Sequence, residues 1–116
     1  MTPSERAFLE RRRVAALATV DEGGRPHVVP ICYVLVGTGS DVRLVTAIDE
    51  KPKSTRDLLR VRNVRAEPRV AVLADRYRED WSRLAWVQVR GRATILAPGA
   101  SNHDEAVAAL ESRYDQ

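Results

Sequence analysis

The sequence predicts a mainly β, α+β domain in which short antiparallel strands close into a small barrel flanked by short helices. Short apolar runs alternate with turns rich in Gly, Pro and Asp, which is the pattern of strands rather than long helices. The elements read in the order α-β-β-β-α-β-β-α, and most neighbouring strands are joined by turns too tight for a crossover helix. The chain has 116 residues, 44% hydrophobic and 30% charged, with a net charge of +3. Those figures fit a single domain, residues 1–116, with one modest core, and they exclude a disordered chain.

Thr2-Pro3-Ser4-Glu5 opens the first helix. Thr caps it, Pro takes the first helical position, and Glu stands three residues after the cap. The helix should run from Pro3 to Arg12 with Phe8 and Leu9 facing inward. Val14 to Val20 is apolar and ends at Asp21-Glu22-Gly23-Gly24-Arg25-Pro26, a strand followed by a turn. His27 to Val36 reads as one strand interrupted at Pro30. Proline cannot donate to a ladder, so Pro30 implies an edge, a bulge or a place where another group approaches the backbone. After the turn Gly37-Thr38-Gly39-Ser40-Asp41 comes a strand from Val42 to Ala47.

Lys53 to Val61 reads as a helix capped by Ser54 or Thr55, with Asn63 as its stop. Val70 to Ala74 is a strand, and Asp75 to Arg83 a charged loop holding Tyr77 and Trp81. Leu84 to Leu96 is a long alternating strand, with Trp86, Gln88, Arg90 and Arg92 on one side and Val87, Val89 and Gly91 on the other. Asn102, with Glu105 three residues on, starts a last helix whose inward face is Ala106, Val107, Ala109 and Leu110.

Several kinds of chemistry find no support. No apolar run approaches the length that spans a bilayer, and the N-terminus lacks the apolar stretch of a secretory signal. Cys32 is the only cysteine, so an intramolecular disulfide and a Cys-based zinc cluster are ruled out. A cytoplasmic location is the expectation. His27 and His103 lie far apart in no metal-ligand pattern and read as surface histidines. Cys32, inside an apolar run, reads as a buried structural thiol. Gly37-Thr38-Gly39-Ser40 lacks the spacing and the lysine of a phosphate loop. Asp75, Glu79 and Asp80 read as a solvated loop.

The charge distribution is more informative. The only lysines are Lys51 and Lys53, on either side of Pro52. From Lys51 to Val70 seven cations stand against Asp57 and Glu67, a local net of +5. Such a patch suggests an anionic partner, either nucleic acid or a phosphorylated small molecule. The lysines precede a helix N-terminus, whose free amides and dipole favour an anion. Cations there oppose the dipole, so they need another reason to be present. Thr46, Lys51, Lys53, Ser54, Thr55 and Arg56 together supply the charge and hydroxyl donors that phosphate recognition uses. Nucleic acid is the weaker reading, because the cations gather at one helix start and few aromatics are available for base stacking. Pro30 and Ile31, with an interrupted ladder, would offer backbone groups to a planar ring, which Trp81 or Trp86 would cover; each Trp also suits a core or an interface.

The motifs carry a resemblance. Ala15-Ala16-Leu17-Ala18-Thr19-Val20, Gly24-Arg25-Pro26-His27-Val28-Val29-Pro30, Thr46 with Lys51-Pro52-Lys53 and Arg56-Asp57-Leu58, Pro68-Arg69-Val70-Ala71-Val72, Glu79-Asp80-Trp81-Ser82 and Trp86-Val87-Gln88-Val89-Arg90-Gly91-Arg92-Ala93 follow one another in a specific order. The pattern resembles the pyridoxamine 5′-phosphate oxidase-like, flavin-reductase-like split-barrel family, and within it the oxidoreductases that use the deazaflavin coenzyme F420. That resemblance implies an antiparallel split β-barrel of the Greek-key, FMN-binding type, assembled as a homodimer with the cofactor at the interface. It implies Lys53 as the main phosphate ligand with Lys51, Thr46 and Arg56 beside it, the Pro30-Ile31 backbone bordering the ring, and Trp86 lining the other wall or the dimer contact. Remaining arginines would meet the anionic tail of F420. It also implies a further strand after the last helix, so a chain stopping at Gln116 is expected to lack that strand and to leave a barrel edge unpaired.

The function expected is therefore hydride transfer between the deazaflavin and a small organic substrate. The alternatives are an FMN-dependent oxidase or reductase of the same fold, and a non-catalytic module that binds a cofactor or nucleic acid. No side chain is nominated as catalytic, and no metal is expected.

Overall fold

The computed structural model describes residues 1–47, 55–77, 79, 80, 82, 84–96 and 102–114, with residues 55–58 described by their backbone alone. Helix α1 spans Pro3–Arg11 and starts on the predicted reciprocal cap: Glu5 N–H donates to Thr2 Oγ1 at 3.1 Å, and Thr2 N–H donates to Glu5 Oε1 at 2.7 Å. Two of the helix's open donors are thereby satisfied. Leu9 is fully buried and Phe8 half-buried, as the helix phase predicts.

Strand β1, Ala15–Val20, pairs antiparallel with β2, Pro26–Ile31, from Ala15↔Ile31 to Val20↔Pro26. Gly24 takes φ +81° in the connecting turn, a conformation that favours glycine. The expected single strand from His27 to Val36 is instead two strands in two sheets. After Ile31 the chain passes through Cys32 and Tyr33 into β3, Val34–Val36, which pairs with β4, Arg43–Val45. The cause lies in β1, which begins at Ala15 and offers no partner beyond Ile31.

Helix α2 covers Thr55–Ala66 and continues past the expected stop. Asn63 does not end it. The side chain is buried at 2% exposure and donates through Nδ2 to Thr19 Oγ1 at 3.2 Å. A partner in a distant strand thus overrides the local preference of Asn for helix ends.

Strands β5, Arg69–Arg76, and β6, Ala85–Arg92, complete a four-stranded antiparallel sheet in the order β2-β1-β5-β6. Pro30 therefore sits on an edge strand, where its missing N–H is tolerated. Strand β6 is shorter than expected because its partner begins at Arg69, opposite Arg92. Helix α3, His103–Arg113, buries Ala106, whereas Val107 is 37% exposed and does not join the inward face.

The core gathers Leu9, Leu17, Ile31, Tyr33, Leu35, Val72 and Ala74 between the sheets and helices. Cys32 lies between the inward-facing Ile31 and Tyr33, so strand parity turns its thiol outward. It is exposed rather than buried. The architecture is α+β with every strand pairing antiparallel. Among the described residues the strands form two sheets, of four strands and two, and no ladder joins them into a closed barrel. No helix among those residues is long and apolar enough to cross a membrane.

Candidate cofactor site

Lys51, Lys53, Ser54 and Trp81 lie outside the described residues, as does the side chain of Arg56. Helix α2 begins at Thr55, so the lysine pair immediately precedes it in the chain. Of the expected site residues, Thr46, Pro30, Ile31 and Trp86 are described.

Thr46 follows β4, and its Oγ1 donates to the Cys32 carbonyl at 2.7 Å. That bond ties the end of β4 to the break between β2 and β3. It also engages the only proton of the hydroxyl. Ile31 is 4% exposed and points into the core, which leaves its backbone for any ring. Pro30 is exposed on the opposite, outer face of the sheet. Trp86 is 64% exposed on that same outer face, opposite Asp75. Strands β2 and β6 are the two edges of the sheet, three strand spacings or about 14 Å apart. One chain alone does not bring Trp86 to Pro30.

Between them the outer face is apolar: Ala16 and Ala18 from β1, Val28 from β2 and Leu73 from β5, the last two 65% and 41% exposed. Gln88, Arg90 and Arg92 supply a polar margin on β6. An exposed apolar patch with a polar rim is the composition of a contact surface.

The local charges are partly paired. Arg69 Nη2 contacts Glu67 Oε1 at 2.5 Å, and this guanidinium holds the Glu67 carboxyl down at about 2. In the turn before β2, Asp21 accepts from the N–H groups of Gly23 and Arg25 and from Arg25 Nε, each at 2.9 Å, and stands 3.3 Å from His27 Nε2. The Arg25 bonds, with smaller contributions from His27 and Gly23, hold its carboxyl far below the usual range.

Sequence reasoning missed two polar assemblies. One is the Thr19–Asn63 pair. The other is a clasp at the end of α1, where the Arg113 guanidinium donates to the carbonyls of Glu10, at 3.0 Å, and Arg12, and packs against Tyr33 and Tyr114, 5.1 and 5.4 Å from the ring centres. A tyrosine at an inward strand position, needing a partner for its hydroxyl, was the one available signal for the second.

The sequence model of the pyridoxamine 5′-phosphate oxidase family matches residues 1–116. No curated protein matches significantly. Among solved structures, the chain is similar to HutZ, a heme storage protein from Vibrio cholerae, at 20% identity and TM-score 0.74, covering 97% of this chain and 74% of that one. It is similar to a conserved hypothetical protein from Mycobacterium tuberculosis at 25% identity and TM-score 0.70, covering 99% of this chain and 65% of that one. It is also similar to a FAD-binding protein from Mesorhizobium loti at 26% identity and TM-score 0.66, covering 97% of this chain and 74% of that one. With the family pattern matched from end to end on a fold of this kind, the chain belongs to the pyridoxamine 5′-phosphate oxidase family.

Proposed function

We propose that the chain is one half of a cytoplasmic, homodimeric split-barrel oxidoreductase that holds a phosphate-bearing cofactor of the flavin kind between two copies and acts on a small organic substrate. Coenzyme F420 is the carrier favoured by the motif pattern. The observation that carries the reading is the outer sheet face, apolar in the middle, with Pro30 at one edge and Trp86 at the other. A twofold axis running along the strands would lay β6 of one copy over β2 of its partner. Trp86 of one copy would then cover the Pro30-Ile31 edge of the other and exclude water from a ring seated there.

The donor set suits such a cofactor. Lys53, with Lys51 and Arg56 beside it, would neutralise the phosphate, and the following helix start would add backbone amides. Thr46 would keep this segment against the β2–β3 break through its bond to Cys32. When bound, the cofactor supplies the hydride chemistry, and the chain's part is to bind, orient and keep the site dry.

A flavin in place of the deazaflavin is the second reading, and the 26% identity to a FAD-binding protein favours it. Titration of the purified chain with F420, FMN, FAD and hemin, followed by fluorescence and absorbance, separates the cases. F420 should bind most tightly. Tight flavin binding without an F420 response would shift the reading to the flavin. Binding of hemin alone would overturn both.

A further inference from the structure

A cleft of about 280 Å³ lies between α2 and the inner face of β1 and β2. Arg60 and Leu59 line it from α2, and His27 lines it from β2. Asn63 and Thr19, joined by their own hydrogen bond, give it a fixed polar wall. Among the described residues no carboxylate lines the cleft. A guanidinium and an imidazole are therefore the groups that set its electrostatic sign. The matching occupant is an anion, which a guanidinium holds through charge-assisted hydrogen bonds.

The two cationic groups differ in kind. A guanidinium keeps its charge at every working pH. Histidine is the side chain whose charge changes between about pH 5 and 8. The charged groups that face His27 are few among the described residues. Its Nε2 stands 3.3 Å from the Asp21 carboxylate, and Arg25 in the same turn pairs with that carboxylate through Nε at 2.9 Å. From β1 the uncharged Thr19 stands directly opposite, and from α2 Arg60 shares the cleft with the uncharged Leu59 and Asn63. The Arg25 bonds hold the Asp21 carboxyl far below the usual range, so it stays ionised while His27 titrates. A carboxylate only accepts, so Nε2 carries a hydrogen in both states of the ring. The added proton is therefore taken up at Nδ1.

We infer that the cleft is a pH-dependent anion site: Arg60 supplies a permanent positive charge, His27 supplies a second on taking a proton at Nδ1, and a small oxyanion binds more tightly as the pH falls. The device does not depend on which cofactor the chain holds.

Sulfate is the probe, because it remains a dianion across the range in which histidine titrates. NMR titration of the full chain at constant ionic strength should show sulfate shifting Thr19, His27, Leu59 and Asn63. Its affinity should be at least about fivefold higher at about pH 5.5 than at about pH 8.5, the effect of one added charge-assisted bond. Binding and protonation are reciprocal. Saturating sulfate should therefore raise the pH at which the His27 ring titrates and leave that of His103, which lines no part of the cleft. His27→Gln should bind sulfate equally at both pH values, and Arg60→Gln should bind it more weakly at both, with thermal melting used to confirm that each variant is folded. Absence of sulfate binding to the wild type, shifts located elsewhere, equal wild-type affinity at the two pH values, or wild-type pH dependence in folded His27→Gln would each overturn the proposal. The titration of the His27 ring with and without sulfate decides the question even if a variant does not fold.

Discussion

Tyr33 and Tyr114, 81 residues apart in sequence, are joined through a single hydroxyl: Tyr114 Oη accepts the Tyr33 backbone N–H at 3.1 Å. The same oxygen is 2.8 Å from the Arg13 carbonyl and 3.0 Å from the Tyr33 carbonyl, to one of which it donates. The Tyr33 hydroxyl in turn donates to the Leu9 carbonyl. The end of α3 thereby satisfies backbone groups where α1 ends and where β2 gives way to β3.

Removing that hydroxyl should be costly. Tyr114→Phe leaves the Tyr33 N–H and a carbonyl without their partner, a loss of about 1–3 kcal/mol. Urea denaturation should show a lower midpoint with an unchanged slope. An unchanged midpoint would mean that water replaces the clasp without loss.

Thr19→Val tests the second buried polar contact. The substitution keeps the shape and removes the acceptor of the Asn63 amide, so a destabilisation of about 1–3 kcal/mol is expected. Thr19→Ser should retain most of the stability if the hydrogen bond, rather than the packing, is responsible.

Acid should weaken the fold through Asp21 and Glu67. Both carboxyls titrate below their ordinary values in the folded chain, Asp21 mainly through its bonds with Arg25 and Glu67 mainly through its bond with Arg69. A depressed folded value means that the contribution is present above the unfolded value, about 4, and is lost as pH falls through the folded one. Melting temperatures should fall as pH drops from about 5 toward 2, and Asp21→Asn should flatten that decline. A profile identical to wild type would show that the Asp21 turn contributes nothing.

Trp86→Ser addresses the proposed assembly. Trp86 is largely exposed in the single chain, so its loss should leave the monomer folded while shifting sedimentation from dimer toward monomer and reducing cofactor binding. A variant that remains dimeric with full affinity would exclude Trp86 from the contact.

The cap at Thr2 and Glu5 and the apolar run that ends at the Asp21 turn are local signals and locate α1 and β1 closely, whereas the alternation along β6 gives its two faces but not its end at Arg92. The break at Cys32–Tyr33 was not visible, because inward parity runs unbroken through Val29, Ile31, Tyr33 and Leu35 while the strand's partner changes. Asn63 looked like a helix stop because its actual partner, Thr19, is 44 residues away. The clasp around Arg113 has no periodicity to reveal it. Charge clustering pointed to an anion at Lys51–Arg56, but only the resemblance supplied a redox cofactor, and the positions of Pro30 and Trp86 on opposite sheet edges required the strand order.

Lys53 is the residue proposed to grip the phosphate of the cofactor. The most direct measurement is the F420 dissociation constant of the wild type against Lys53→Ala, with melting temperatures recorded for both. A charge-assisted bond to phosphate contributes about 1.5–3 kcal/mol, so affinity should fall at least about tenfold while the melting temperature is unchanged. Equal affinity in the two proteins would remove Lys53 from the phosphate site.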